Sequence, residues 1–367
     1  MSHENKIKFL AYYLPQYHQI PENDEWWGEG FTEWTNVKKA KPLFRGHQQP
    51  VIPGELGYYD LMKTEDIQEK QAKLAKEHGI DGFIYYQYWF GNGKMLLEKP
   101  AEKMLANKKV DIPFCFCWAN ETWSGIWHGL TDKILAEQTY PGEQDEKDYF
   151  AYLLPFFQDK RYIRIDNKPV FVIYDALDIP DIKQFILRLQ KRALDAGLEG
   201  LYLMASNKNP DDMDYKEMGF DAKMSYAFNE KFKKAIPEVR QRFWTKVQNK
   251  ISLYFGREYT PKFKINYSEL HKKIQFKKLN VETFPMILPN WDNTPRSSDR
   301  GVILTGSSPK NFKKELIKAV RFLENTNQED KIVIVKSWNE WAEGNFIEPD
   351  SVYGKEYLKI IKDLSKK

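Results

Sequence analysis

The chain has 367 residues, 42% of them hydrophobic and 29% charged, a balance that excludes a disordered segment and suits a single α/β barrel with insertions. Its formal charge of +4 is too small to argue for nucleic acid as a partner. No window approaches the roughly 18 apolar residues that cross a bilayer. The opening MSHENKIKFLAYYLPQY has neither a signal-length apolar stretch nor a small-residue cleavage site, so a cytoplasmic location is expected.

In chain order, strand-like apolar runs alternate with helical patterns. The first run is Ile7 to Tyr13, followed by a long Trp-rich segment, Gln16 to Val37. The spacing of Ile67, Ala72, Leu74 and Ala75, with Gly79 just beyond, predicts a helix over Glu65 to His78. Strands are predicted at Gly82–Trp89, Ile112–Trp118, Pro169–Tyr174 and Leu201–Ala205, with a weaker one at Ala222–Tyr226. Helices are predicted over Glu146–Phe157 and Asp181–Ala196. The only cysteines, Cys115 and Cys117, share one face of a strand, where a bridge between them would be strained; two free thiols in a reducing compartment are expected.

Lys231 to Lys278 breaks the rhythm. It carries eleven Lys and three Arg against three Glu, a net of +11 that leaves the remainder at −7. It reads as an inserted segment with helical parts between strands six and seven. Its lysines suit a solvated face; with Phe232, Phe243, Trp244, Tyr254, Phe255 and Tyr259 among them, they also suit peripheral contact with anionic lipid. Strand seven is Met286–Leu288, a helix covers Lys310–Leu323, and strand eight is Lys331–Val335. Eight strands alternating with helices predict an α/β fold, a (β/α)8 TIM barrel, with a doubly wound open sheet as the alternative.

The run that closes the pattern, KIVIVKSWNEWAEGNFIEPD, ends a β-branched strand in two carboxylates, Glu340 and Glu343, three residues apart between tryptophans. On a helical turn those positions project to one side. Paired carboxylates in an aromatic pocket can split their pKa values, one staying ionised and the other protonated, as acid/base chemistry requires. Ten of the eleven tryptophans lie at or just beyond strand C-termini: Trp26, Trp27, Trp34, Trp89, Trp118, Trp123, Trp127, Trp291, Trp338 and Trp341. In a barrel that is the catalytic face, and indole suits the apolar faces of sugar rings. Polar residues gather there too: Gln16, His18, Glu29, Glu33, Asn120, Glu121, Asp175, Asn290, Asp292 and Asn339. The six histidines show no metal-ligand spacing, and neither a glycine-rich phosphate loop nor a G-x-S-x-G elbow occurs, so no metal or cofactor is expected.

The segments AYYLPQYHQIPENDEWWGEGFTEWTNV, GYYDL, GIDGFIYYQYWF, PFCFCWANETW, RYIRIDNKPVFVIYD, WDNTPR and SWNEWAEGNFIEPD together resemble the WbsX family, over about residues 7 to 362. That family is glycoside hydrolase family 99-like and accompanies bacterial surface-polysaccharide biosynthesis (O-antigen and capsule). The resemblance implies a barrel acting on a glycan or a lipid-linked glycan, with retention. Glu340 would be the base acting on the sugar's 2-hydroxyl, and Glu343 the acid. From their places at the strand ends, Trp26, Trp27, Trp34, Trp118, Trp123 and Trp291 are expected as sugar platforms and Asn120, Glu121, Asp175 and Asn290 as hydroxyl partners; Tyr13, Gln16, His18, Glu33, Trp89, Trp338 and Asn339 complete the expected lining. A transferase using an activated sugar and an inactive glycan-binding barrel are the competing classes.

Overall fold

The computed structural model describes residues 6–125, 134–226, 263–273 and 275–366. Its centre is eight strands: β1 (Lys8–Tyr13), β2 (Gly82–Trp89), β3 (Phe114–Trp118), β4 (Lys168–Ile173), β5 (Tyr202–Ala205), β6 (Ala222–Ser225), β7 (Glu282–Ile287) and β8 (Ile332–Val335). Each pairs in parallel with its successor. β8 returns to β1, with Lys8 opposite Ile332 and Ala11 opposite Val335, and closes the (β/α)8 barrel. Closure excludes the open sheet.

The strands are continuous apolar runs because both faces are covered, the inner by the barrel core and the outer by helices. Every residue of β2 is buried, as are the last five of β1. Inside the barrel the Tyr12 hydroxyl donates to Met224 Sδ across 3.1 Å, spanning from β1 to β6. Cys115 and Cys117 are free and buried. On the outside, the helix Ile67–Glu77 turns Ile67, Gln71, Ala72, Leu74 and Ala75 inward. The helix Pro309–Glu324 starts with Pro309 at its first position and Ser308 accepting from the Asn311 amide.

Three features differ from expectation. The Trp-rich segment after β1 holds two short helices, Pro21–Trp27 and Glu33–Lys39, the first opened by proline and the second by a capping box between Thr32 and Thr35. β7 begins at Glu282, earlier than predicted, because Glu282 and Pro285 interrupt the apolar run that would have marked it. Helices at Lys99–Ala106 and Glu356–Ser365 complete the outer layer. Most of Lys231–Lys278 lies outside the described residues. Its described end forms a strand, Phe263–Asn266, pairing in parallel with Val302–Thr305, and a helix, Tyr267–Lys273. Among the described residues no helix is long and apolar enough to cross a membrane.

Candidate active site

The geometry starts where β8 leaves the barrel. The Lys336 amide still bonds to Ile287 of β7, at 3.0 Å, and Ser337 then turns the chain. Ser337 Oγ donates to the Asn345 carbonyl at 2.7 Å and accepts from the Glu340 amide at 2.8 Å. A two-residue antiparallel ladder, Asn339–Glu340 against Asn345–Phe346, encloses a single 3₁₀ turn, Trp341–Glu343. Side chains three apart eclipse in that geometry, so Glu340 and Glu343 face one side. Gly344 ends the turn at φ 68°; a Cβ there would come within 2.8 Å of the Asp292 nitrogen, whose N–H donates to the Glu343 carbonyl at 2.8 Å.

Both carboxylates open onto a cavity of about 390 Å³ at the C-terminal ends of the strands, a size suited to small ligands. Tyr86, Tyr88, Trp123, Tyr174 and Trp291 supply aromatic surface, and Gln16, Trp27, Glu33, Glu121, Lys208, Asn293, Arg296 and Lys336 also line it. Each catalytic candidate is held by a cation. Lys336 Nζ reaches both Glu340 oxygens, at 2.9 and 2.8 Å, and the Tyr86 hydroxyl at 2.9 Å. Arg296 donates from Nη1 to Glu343 and from Nε to the buried Glu33, the latter at 2.7 Å. Glu343's side chain keeps 20% of its exposure, Glu340's only 5%. Burial therefore pushes the Glu340 carboxyl up; Lys336 opposes that shift and the neighbouring Glu343 adds to it. Lys208 pairs with Glu121 and lies 3.8 Å from Asp175. Among the described residues no group of three or more His, Cys, Asp or Glu is placed to hold a metal ion.

The family model described as Glycosyltransferase WbsX matches residues 9–361. The chain belongs to the WbsX family. An uncharacterized protein, WxcX, of Xanthomonas campestris pv. campestris is 35% identical over 351 residues, covering 95% of this chain and 48% of the relative. The chain thus spans about half the length of the curated relatives it matches. Among solved structures, a glycoside hydrolase-like protein aligns with a TM-score of 0.62 at 17% identity, covering 99% of this chain and 95% of the other. The GH99 endo-alpha-mannosidase of Bacteroides thetaiotaomicron aligns at 0.57 and 14% identity, covering 99% and 97%. At those identities the likeness carries the fold.

Of the residues singled out in the WbsX sequence, Gln16, Trp27, Glu33, Glu121, Trp123, Trp291, Glu340 and Glu343 meet at the cavity. Trp26 stands behind, edge-on to Trp123 at 6.1 Å, and Asp175 reaches the site only through Lys208. The others are elsewhere, for reasons of packing. Tyr13 points outward from β1, donating to Gln71 Oε1 at 2.7 Å and stacking on Tyr85. His18 is buried against the Pro15 carbonyl. Trp34 donates to the Tyr59 carbonyl, Trp89 to Asp145 and Trp118 to the Trp89 carbonyl, so all three indoles serve the scaffold. Trp338 is fully buried against Phe83. Asn120 bonds the backbone of Asp175 in both directions, and Asn339 does the same for Leu14; each fastens two loops. Asn290 lines a separate cavity, and Asp292 there binds His47, Gln49 and Thr294. Trp127 lies outside the described residues.

Sequence reasoning missed Lys336 and Arg296, the two cations at the acids. Lys336 had a local signal, a lysine closing a β-branched strand four residues before Glu340. Arg296 lay in WDNTPR, which was weighed for family likeness and not for charge. The tyrosines of β2, Tyr86 and Tyr88, were hidden because a fully buried strand shows no alternation to say which side faces the pocket.

Proposed function

We propose that this chain cleaves or transfers a glycosidic bond of a bacterial surface polysaccharide or its lipid-linked precursor, with retention, through Glu340 and Glu343. The observation that carries this reading is the pair itself: two carboxylates on one 3₁₀ turn, facing an aromatic cavity, each against its own cation. Lys336 keeps Glu340 ionised while burial makes it a stronger base, the combination a general base needs. Glu340 takes the proton of the sugar's 2-hydroxyl as that oxygen attacks C1. Glu343 gives its proton to the departing oxygen, leaving a 1,2-anhydro sugar. Glu343 then takes a proton from water, or from an acceptor hydroxyl, whose oxygen attacks C1 and opens the anhydro ring; Glu340 returns its proton to the 2-oxygen, and the starting configuration and both acids are restored. The buried Glu33 shares Arg296 with Glu343.

The family's description favours a second reading, transfer from an activated sugar. Charge favours the first. Among the described residues every cation lining the cavity is already paired: Lys336 with Glu340, Arg296 with Glu33 and Glu343, Lys208 with Glu121. None is left to neutralise a donor diphosphate. The deciding experiment incubates the protein with surface polysaccharide and lipid-linked precursors, with and without nucleotide sugars, and reads products by mass spectrometry. Products that form without nucleotide support the proposal; strict dependence on nucleotide sugar refutes it. Glu343→Gln should lower turnover by about 10²–10⁴-fold while glycan binding survives. Unchanged turnover would remove Glu343 from its role, and glycan binding without any turnover in the wild type would leave a binding barrel.

A further inference from the structure

Behind the turn that carries the two acids lies a third carboxyl, Glu348, which faces no cavity and has no cation paired with it among the described residues. Three donors converge on it from three parts of the chain. Trp341 Nε1, from within the turn, donates to Oε2 at 2.7 Å. Gln71 Nε2, from the helix Ile67–Glu77, donates to Oε1 at 2.7 Å. The Tyr59 hydroxyl donates to Oε2 at 3.0 Å and itself accepts from Asn339 Nδ2 at 3.2 Å. Gln71 is fixed in turn by the Tyr13 hydroxyl at 2.7 Å. The Trp341 ring stacks on Phe346, with centroids 3.7 Å apart, and its amide donates to the Tyr17 hydroxyl at 3.1 Å.

An ionised carboxylate satisfies every one of these donors; a protonated one introduces a further donor where acceptors are already taken. We propose that Glu348 is a positioning residue, whose carboxylate holds the Trp341–Glu343 turn in register through the Trp341 indole and so places Glu343 at the cavity. The effect on turnover rests on the glycosidic reading above; the structural coupling does not.

Burial pushes Glu348 up to about 7, against the hydrogen bonds from Trp341, Gln71 and Tyr59, which lower it. The buried Nε1–H of Trp338, which has no hydrogen-bond partner among the described residues, bears on the same carboxyl and lowers it further. The other titratable groups facing it are the hydroxyls of Tyr13, Tyr17 and Tyr59, all held neutral by burial. The sign follows. A folded-state pKa above the ordinary 4.5 means that Glu348's contribution to stability is fullest in acid and is lost as pH rises toward 7. The indole's full acceptor appears over the same interval. Order at the turn is thus gained where stability is given up.

The test follows the indole Nε1–H resonance of Trp341 in ¹⁵N-labelled protein, assigned with Trp341→Phe, from pH 5.5 to 8.5. In wild type and in Glu343→Gln it should titrate with a midpoint near 7. It should stay flat in Glu348→Gln, and Tyr59→Phe should raise the midpoint by removing a donor. A flat wild-type resonance, or the same titration in Glu348→Gln, overturns the proposal. Should Glu348→Gln fail to fold, the wild-type curve and the Tyr59→Phe shift decide it. In the proposed reaction Glu348→Gln should lower kcat by about 10- to 100-fold with KM little changed, the size of effect a misplaced acid produces. A change in KM alone would overturn that part. A protein without glycosidic activity would fail the functional reading while the resonance still reports on Glu348.

Discussion

Replacing Lys336 with methionine keeps the length of the side chain and removes the ammonium that touches both Glu340 oxygens. Glu340 is 4% exposed, so its charge would be left buried without a partner. Breaking one side of a buried pair costs about 3–5 kcal/mol, and a carboxyl relieves that by holding its proton. Losing the ammonium therefore raises the Glu340 carboxyl further. The direction is set by the structure: burial already raises this group and Lys336 is the first influence opposing it. Below the ordinary carboxylate range Glu340 is protonated with or without Lys336, so the variant's deficit should be small in acid and grow by about 3 kcal/mol toward alkaline pH. For one cooperative unit of 367 residues, an unfolding entropy of about 2 cal/mol/K per residue converts 3 kcal/mol into a Tm difference of about 4 °C. Thermal melts of both proteins at pH 5 and pH 8.5 measure it, with no substrate required. The acid limb of turnover should move to higher pH. An equal fall in Tm at both pH values would refute the reasoning, because Lys336 would then be packing and not holding a charge.

Arg296→Met should destabilise by about 3–5 kcal/mol, since it strands the buried Glu33, and Glu33→Gln should recover most of that loss; additive losses in chemical denaturation would show that the two do not act together. Trp27→Ala, Trp123→Ala and Trp291→Ala should weaken glycan binding with a modest effect on folding, whereas Trp338→Ala should cost about 3–5 kcal/mol of stability, as removal of a buried indole does; calorimetry with glycan and a melt on each variant separate the groups. If Lys231–Lys278 touches anionic lipid, neutralising its lysines should reduce flotation with anionic liposomes, and unchanged flotation would leave the segment a solvated face.

Barrel strands were legible because each one is a buried run bounded by turn residues, and all eight expected positions hold one. The acidic turn was legible for a related reason: two acids between tryptophans have few places to go in a packed chain. The tryptophans were harder. An indole at a strand end looks the same in sequence whether it faces a cavity, as Trp291 does, or donates backward to a neighbouring carbonyl, as Trp118 does. The same holds for Asn120 and Asn339, whose amides close loops, a role their composition shares with sugar binding. Lys336 sits four residues from its partner, but Arg296 was invisible because its significance is a matter of pairing across the fold. Arg296 meets Glu33 over 263 positions, and nothing local to either marks the other.

That pairing leads to a proton count. Among the described residues the cavity is lined by four carboxylates, Glu33, Glu121, Glu340 and Glu343, and three cations, Lys208, Arg296 and Lys336. A partly dry pocket disfavours net charge, so the lining is balanced when one of the four acids keeps a proton. Glu121 is paired with Lys208, and the buried Glu33 with Arg296. Burial raises the Glu340 carboxyl, the neighbouring Glu343 adds to the rise and Lys336 opposes it. Removing Lys336 should therefore strengthen Glu340's hold on a proton, and the pH-dependent melt of Lys336→Met reports it.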